Sequence, residues 1–156
     1  MAKQRVATIG YEGATIPAVL DALKGAGVEL LIDIRAIASS RRPGFAKTAL
    51  AANLATIGVE YLHLRGLGTP ADGRAAARAG RQDELERIFL EHMATERAQT
   101  ELAMVETLVR DGRRVCLLCF EADAAKCHRR FVASALASRL DVEIVNLAPQ
   151  TTNESF

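Results

Sequence analysis

The chain has 156 residues, of which 49% are hydrophobic and 25% charged, and its formal net charge is +1. Such a chain is expected to fold as one globular domain without metals or disulfides. No stretch approaches the roughly 18 apolar residues of a membrane span, and the first residues lack the features of a secretory signal. With three cysteines and no export signal, we expect reduced thiols, a cytoplasmic location and no membrane partner.

Strands and helices alternate along residues 1–148, which we interpret as a single domain followed by a loose tail at 149–156. Apolar runs predict strands over 5–9, 28–34, 59–64, 114–119 and 142–147. Helical spacing predicts helices over 16–26, 46–57, 83–111 and 124–139. The range 83–111 can form one helix or two, because 95–101 lacks an apolar face. This alternation predicts an α/β three-layer sandwich, with a mostly parallel sheet of about five strands flanked by helices.

Residues 65–82 interrupt this pattern. The segment contains four glycines and a proline, which predicts a long loop or mobile insert. Loops of this length in compact domains are often functional, and its role at the site is left open.

Polar and ionisable residues follow the predicted strands. They are Gly10, Tyr11 and Glu12 after the first strand, Asp33 and Arg35 after the second, Tyr61 and His63 in the third, and Cys119 and Glu121 after the fourth. In open parallel sheets ligands bind outside the carboxyl ends of the strands. We therefore expect these groups to share one pocket.

Two segments are rich in basic residues. From 35 to 71 the only acidic residue is Glu60, and from 124 to 140 there is none. The first segment contains Arg41 and Arg42, and the second contains Lys126 and Arg129. A local positive field of this kind attracts phosphate, carboxylate or a nucleic-acid backbone.

Cys127-His128-Arg129 is expected to open the last predicted helix. A thiol in the first turn of a helix has a lowered pKa and can act as a nucleophile or metal ligand, while His128 could be a base and Arg129 could grip an oxyanion. A phosphatase-type loop is excluded, because the position six residues after Cys119 is Ala125. A zinc site of Cys119, Cys127, His128 and His63 stays open, but the spacing does not require it, so no metal ligand is assigned.

Five ordered motifs resemble those of the family known as domain of unknown function 488. They are Thr8-Ile9-Gly10-Tyr11-Glu12, Asp33-Ile34-Arg35, Ser40-Arg41-Arg42-Pro43-Gly44-Phe45, Tyr61-Leu62-His63-Leu64 with Leu67-Gly68, and Leu117-Leu118-Cys119-Phe120-Glu121 with Cys127-His128-Arg129. The resemblance implies that the motif residues form a shared site. Ala38 stands where family members tend to have proline, which is expected to loosen the loop before Ser40.

Two functions remain open from the sequence. The first is an enzyme, a hydrolase or transferase, acting on an anionic substrate such as a nucleotide or nucleic acid. Its catalytic candidates are Glu12, His63, Glu121, Cys127 and His128. Its substrate-binding candidates are Gly10, Tyr11, Asp33, Arg35, Ser40, Arg41, Arg42, Tyr61, Cys119 and Arg129. The second is a non-catalytic module that binds a nucleotide, metabolite or metal. The cofactor and the oligomeric state are left open.

Overall fold

A five-stranded parallel sheet forms the centre of the protein in a computed structural model that describes residues 3–149. The strands are β1 (Gln4–Gly10), β2 (Leu30–Asp33), β3 (Glu60–His63), β4 (Val115–Cys119) and β5 (Val142–Leu147). They lie in the order β3-β2-β4-β1-β5. From position 150 onward, the predicted tail lies outside the described residues.

Helices connect the strands and cover the sheet. They are α1 (Ile16–Gly25), α2 (Lys47–Ala55), α3 (Ala71–Arg78), α4 (Gln82–Met93), α5 (Glu96–Arg110) and α6 (Arg129–Arg139), with short 3-10 turns at Arg65–Leu67 and Ala124–Lys126. Thr15 begins α1 by accepting a hydrogen bond from the amide of Ala18 at 3.2 Å, as an N-cap does. Within residues 3–149, no helix combines the length and apolar character that a membrane crossing requires.

Alternate strand residues pack into two separate cores, because successive side chains of a strand point to opposite faces. On β2, Leu31 joins the core beneath α1 and α2, whereas its neighbours Leu30 and Ile32 join the core beneath α4, α5 and α6. On β4, Cys116 and Leu118 alternate with Val115 and Leu117 in the same way. Helices therefore cover both faces of the sheet, and the predicted three-layer α/β sandwich is confirmed.

The switch point of the sheet lies between β1 and β4. The chain leaves β1 for β2, on the far side of β4, whereas it leaves β4 for β5, on the far side of β1. These two connections run in opposite directions, which opens a crevice at the carboxyl ends of the two strands. Gly10 and Cys119 lie side by side at that edge.

Residues 65–82 are not a loop, so that prediction is wrong. They form a 3-10 turn at Arg65–Leu67, the helix α3 at Ala71–Arg78, and the start of α4. The buried face of α3 consists of Gly73 and Ala76, which are too small to produce a clear apolar period. The methyl group of Thr69 and the side chain of Ile88 leave no room for a larger residue at Gly73, because an added Cβ would lie 2.5 and 3.2 Å from them.

The structure divides one predicted helix in two and moves the start of another. The predicted helix over 83–111 is two helices, and the hydroxyl of Thr95 begins the second by accepting from the amide of Ala98 at 3.3 Å. The predicted helix over 124–139 begins only at Arg129. Cys127 therefore precedes the helix and does not lie in its first turn, which removes the helix-dipole argument for its reactivity.

Candidate active site

A cleft of about 460 Å³ opens at the carboxyl edge of the sheet, over the switch point. Its walls come from the ends of β1, β2 and β4, from α3 and from the segment before α6. The lining residues are Tyr11, Arg35, Ala36, Ile37, Ser39, Thr69, Arg74, Ala77, Arg78, Leu85, Cys119, Phe120, Glu121, Lys126 and His128. A larger surface depression of about 760 Å³ beside β3 contains no cysteine or histidine, so the reactive groups favour the cleft.

Gly10 allows β1 to approach the turn after β4. A Cβ at this position would lie 1.8 Å from the carbonyl oxygen of Glu121, a backbone atom that cannot rotate away. Glu12 secures the same contact, because its amide donates to the Phe120 carbonyl at 2.9 Å and its carboxylate accepts from the Ala122 amide at 3.1 Å. Both predicted site residues thus hold the cleft wall in place, and neither lines the cleft.

Alanine at Gly10 is expected to destabilise the protein by about 1–3 kcal/mol or more, as overpacking of a close contact does. Alanine at Gly25 is the matched control, since a Cβ there meets nothing within 4 Å and the helical position favours alanine. Urea unfolding of both variants measures the difference. Equal stabilities would show that β1 and the turn do not need this contact.

Arg129 is completely buried and hydrogen-bonds groups inside the protein rather than lining the cleft. Its guanidinium donates to the Thr8 hydroxyl at 3.1 Å, to the Ala122 carbonyl at 3.1 Å and to the Glu121 carbonyl. The guanidinium predicted to grip a substrate oxyanion is therefore engaged by the turn after β4. Arg129 places Glu121 at the cleft.

Arg35 and Asp33 form a buried ion pair at the end of β2. Asp33 has no exposed surface and accepts from Arg35 Nε at 2.9 Å and from Arg35 Nη2 at 2.7 Å. Arg35 also donates to the Tyr11 hydroxyl at 3.0 Å and to the Phe45 carbonyl at 2.9 Å. Burial acts to lower the pKa of Arg35, but the bonds to Asp33 outweigh it and raise the pKa above its usual value.

Tyr61 closes this network from β3. Its hydroxyl donates to Asp33 Oδ2 at 2.5 Å. Burial and this bond raise the pKa of Tyr61, so the phenol stays protonated. Of the groups in the network, Tyr11 and Arg35 reach the cleft wall, whereas Asp33 and Tyr61 do not. The network supports the cleft floor with its charges already paired.

Cys119, Cys127 and His128 form a buried cluster beside the cleft. His128 Nδ1 lies 3.4 Å from Cys119 Sγ and 3.9 Å from Cys127 Sγ. The Cys119 thiol can also donate to Glu121 Oε2 at 3.4 Å. Cys119, His128 and Glu121 line the cleft, and Cys127 lies behind them, 1% exposed.

The electrostatics of this cluster are set by burial and by its own members. Burial and the neighbouring Cys127 raise the pKa of Cys119. Burial also opposes ionisation of Cys127, but its hydrogen bonds with Cys119 and His128 lower its pKa below the usual value. Burial, followed by the charge of Cys127, raises the pKa of Glu121. Of the two thiols in the cluster, Cys127 is therefore the one whose ionised form is favoured.

Four other predicted site residues lie away from the cleft lining. The Ser40 hydroxyl accepts from the Arg42 amide at 3.1 Å, and Arg42 extends over the Phe45 ring at 5.8 Å. Arg41 is exposed. His63 Nε2 lies 2.7 Å from the Arg35 carbonyl oxygen, and His63 does not belong to the cysteine–histidine cluster. Within residues 39–42, Ser39 is the residue that lines the cleft.

Sequence reasoning missed the cationic side of the cleft. Arg74, Arg78 and Lys126 line it, and none of the three forms an ion pair with any residue between 3 and 149. Arg74 and Arg78 lie four residues apart on α3, a spacing that places both on one helix face. Recognising residues 71–78 as a helix would have revealed this pair. In the sequence, Lys126 stands out only as part of the basic segment 124–140.

Comparison with known proteins places the chain in a family. No curated protein and no solved structure matched it. A family profile described as Domain of unknown function DUF488 matches residues 15–136, a range that includes α3, the cleft residues of β4 and the cysteine–histidine cluster. The chain belongs to this DUF488 family.

Proposed function

We propose that the protein is an enzyme, a hydrolase or transferase, that acts on a nucleotide-like anionic substrate held in the cleft. One observation carries the proposal: three cations without ion-pair partners in the described chain, Arg74, Arg78 and Lys126, face the same cleft as Cys119, Glu121 and His128. Phosphate groups are recognised by such arginine and lysine side chains. Reactive groups beside an anion site favour an enzyme over a non-catalytic binding module.

The charge balance of the cleft supports an anionic ligand. Arg35 is neutralised by Asp33, which lies 2.7 Å from it, so it adds little net field. Arg74 donates to the neutral Thr69 carbonyl at 2.8 Å and keeps its charge. Three cations, Arg74 among them, therefore face one carboxylate, that of Glu121.

The shape and apolar surface of the cleft support a ligand with an organic part. A volume of about 460 Å³ falls within the range of about 300–1,000 Å³ that small-molecule sites occupy. Phe120 is 41% exposed and Ile37 is 57% exposed, and both line the cleft. An exposed ring beside cations suits a base joined to phosphate.

Neutralising the cations tests binding. Glutamine at Arg74, Arg78 and Lys126 together is expected to weaken ADP or ATP binding on the order of 100-fold, at about 1 kcal/mol for each lost contact. The control is a triple variant with the same charge change at the opposite end of the sheet, in which glutamine replaces Arg5, Arg110 and Arg113. Calorimetric titration at low and high salt measures affinity, which should fall with salt. Equal nucleotide affinities of the two triple variants would contradict the assignment of the cleft as the anion site.

Turnover separates the enzyme from a binding module. Wild-type protein is incubated with ADP, ATP, pyrophosphate and a short single-stranded oligonucleotide, and products are followed by phosphorus NMR. Cys119→Ala and Glu121→Gln are expected to abolish turnover while the folded protein still binds the nucleotide. Tight binding without product from any of these compounds would favour the non-catalytic module.

A further inference from the structure

The cysteine–histidine cluster has the composition of a metal site. Cys119 lies at the end of β4, and Cys127 and His128 precede α6, so three chain positions from two elements converge. Their ligand atoms all lie within 4.8 Å of one another, and all three side chains are buried. In the part of the chain that the structure describes, no other group of histidine, cysteine and acidic side chains could hold a metal ion in this way.

Two of the interatomic distances are close to those of a tetrahedral zinc site. Zinc binds sulfur at about 2.3 Å and imidazole nitrogen at about 2.0–2.1 Å, so tetrahedral ligands lie about 3.6 Å apart for sulfur and nitrogen. The separations from His128 Nδ1 to the two sulfurs are 3.4 and 3.9 Å. Both separations lie close to that value. Cys119 Sγ also lies 4.0 Å from His128 Nε2, so the imidazole ring must turn for Nδ1 to ligate the same ion as this sulfur.

The hydrogen bond on the other side of His128 leaves Nδ1 available. His128 Nε2 lies 2.9 Å from the carbonyl oxygen of Ile34, and a carbonyl oxygen can only accept. Nε2 therefore carries the proton, and in a neutral ring Nδ1 is the nitrogen whose lone pair is free for a metal ion. A backbone carbonyl behind the ligating histidine is the usual outer partner at metal sites.

Simpler explanations account for only part of the cluster. A thiol–imidazole hydrogen bond engages one cysteine with His128, because the single lone pair of Nδ1 cannot serve two thiols fully, while the Cys119 thiol can bond Glu121 Oε2 instead. A disulfide between Cys119 and Cys127 would leave His128 Nδ1 facing sulfur atoms that have neither an S–H donor nor a thiolate. A metal ion uses all three groups, and two thiolates would balance the charge of Zn²⁺.

We propose that Cys119, Cys127 and His128 bind a zinc ion whose fourth coordination position opens into the cleft beside Glu121. Soft thiolate ligands together with imidazole select zinc over magnesium or calcium. Three protein ligands with one open position are typical of catalytic rather than structural zinc. Cys119, His128 and Glu121 line the cleft, so the open position faces the bound anion. This last step rests on the proposed function, whereas metal binding rests on the cluster alone.

Metal analysis of the untagged full chain tests the site. Reduced protein is loaded with zinc sulfate, freed of excess by gel filtration, and analysed by mass spectrometry for bound metal. A single zinc ion per chain is expected. Loss of an outer partner of a ligand costs about 10–100-fold in metal affinity, so Cys127→Ser or His128→Gln should cost at least about 100-fold. Cys116→Ala is the matched control, because this buried thiol on β4 lies outside the cluster.

Cobalt substitution keeps the test decisive if a variant fails to fold. Wild-type protein loaded with cobalt(II) should show thiolate-to-cobalt charge transfer and the intense visible bands of a tetrahedral site. Wild type without stoichiometric metal, or with cobalt in octahedral geometry, would overturn the inference. Zinc retained by folded Cys127→Ser and His128→Gln would do so too. Nucleotide binding without zinc would contradict only this inference, and zinc without anion binding would contradict only the proposed function.

Discussion

Asparagine in place of Asp33 is expected to lower the free energy of unfolding by about 3–5 kcal/mol, because it leaves the Arg35 guanidinium buried without its counter-charge. Asp33 is completely buried, and Arg35 is 5% exposed. The carboxylate accepts from Arg35 on both oxygens and from the Tyr61 hydroxyl. An asparagine amide would turn a donor toward one of these donors, so it cannot replace both oxygens.

Glu60→Gln is the matched control for this prediction. Glu60 also pairs with an arginine, Arg113, at 2.6 Å, but the pair lies at the surface. Its loss should leave the free energy of unfolding close to that of wild type, since solvent screens exposed pairs. Urea unfolding of both variants gives the comparison. If Asp33→Asn instead reduced nucleotide affinity with unchanged stability, Arg35 would be a substrate-binding residue rather than a structural one.

Methionine in place of Arg129 is expected to destabilise the protein by about 2–4 kcal/mol, because three hydrogen-bond acceptors lose their donor. These acceptors are the Thr8 hydroxyl and the carbonyls of Glu121 and Ala122. The turn that places Glu121 should also loosen. Amide hydrogen exchange at residues 120–122 should therefore accelerate more than exchange in β5.

Arg130→Met is the matched control, since this neighbouring arginine is only partly buried and packs on the Phe131 ring at 4.5 Å. Its replacement should cost less. Arg129→Lys keeps the charge but loses the fork, so its stability should lie between wild type and Arg129→Met. Equal unfolding free energies for the two methionine variants would mean that Arg129 does not hold the turn.

The fold could be predicted because its signals are strong and local. The continuous apolar runs of β2 and β4 are buried along their whole length, as strands of a covered parallel sheet are. Thr15 and Gly27 mark the ends of α1 in the sequence and in the structure, where Gly27 has a φ of 70°. The helix α3 could not be predicted from the sequence, because glycines surround it and its buried face is made of small residues.

The candidate site could be predicted in location but not in detail. Strand-end position identified Cys119 and Glu121, because parallel strands bring their carboxyl ends to one edge. Strand-end position could not show that Arg129 and Asp33 form their hydrogen bonds inside the protein, since their partners include residues distant in sequence. Nor could it show that α3 folds over the edge and brings Arg74 and Arg78 to the cleft.

The location of the bound anion tests the central claim most directly. Proton–nitrogen correlation spectra of labelled wild-type protein, titrated with ATP, report which backbone amides change. We predict saturable shifts concentrated in residues 69–78, 119–122 and 126–129, around the cleft. Shifts centred on residues 58–62, which line the depression beside β3, or no saturable shift at any amide, would contradict the account.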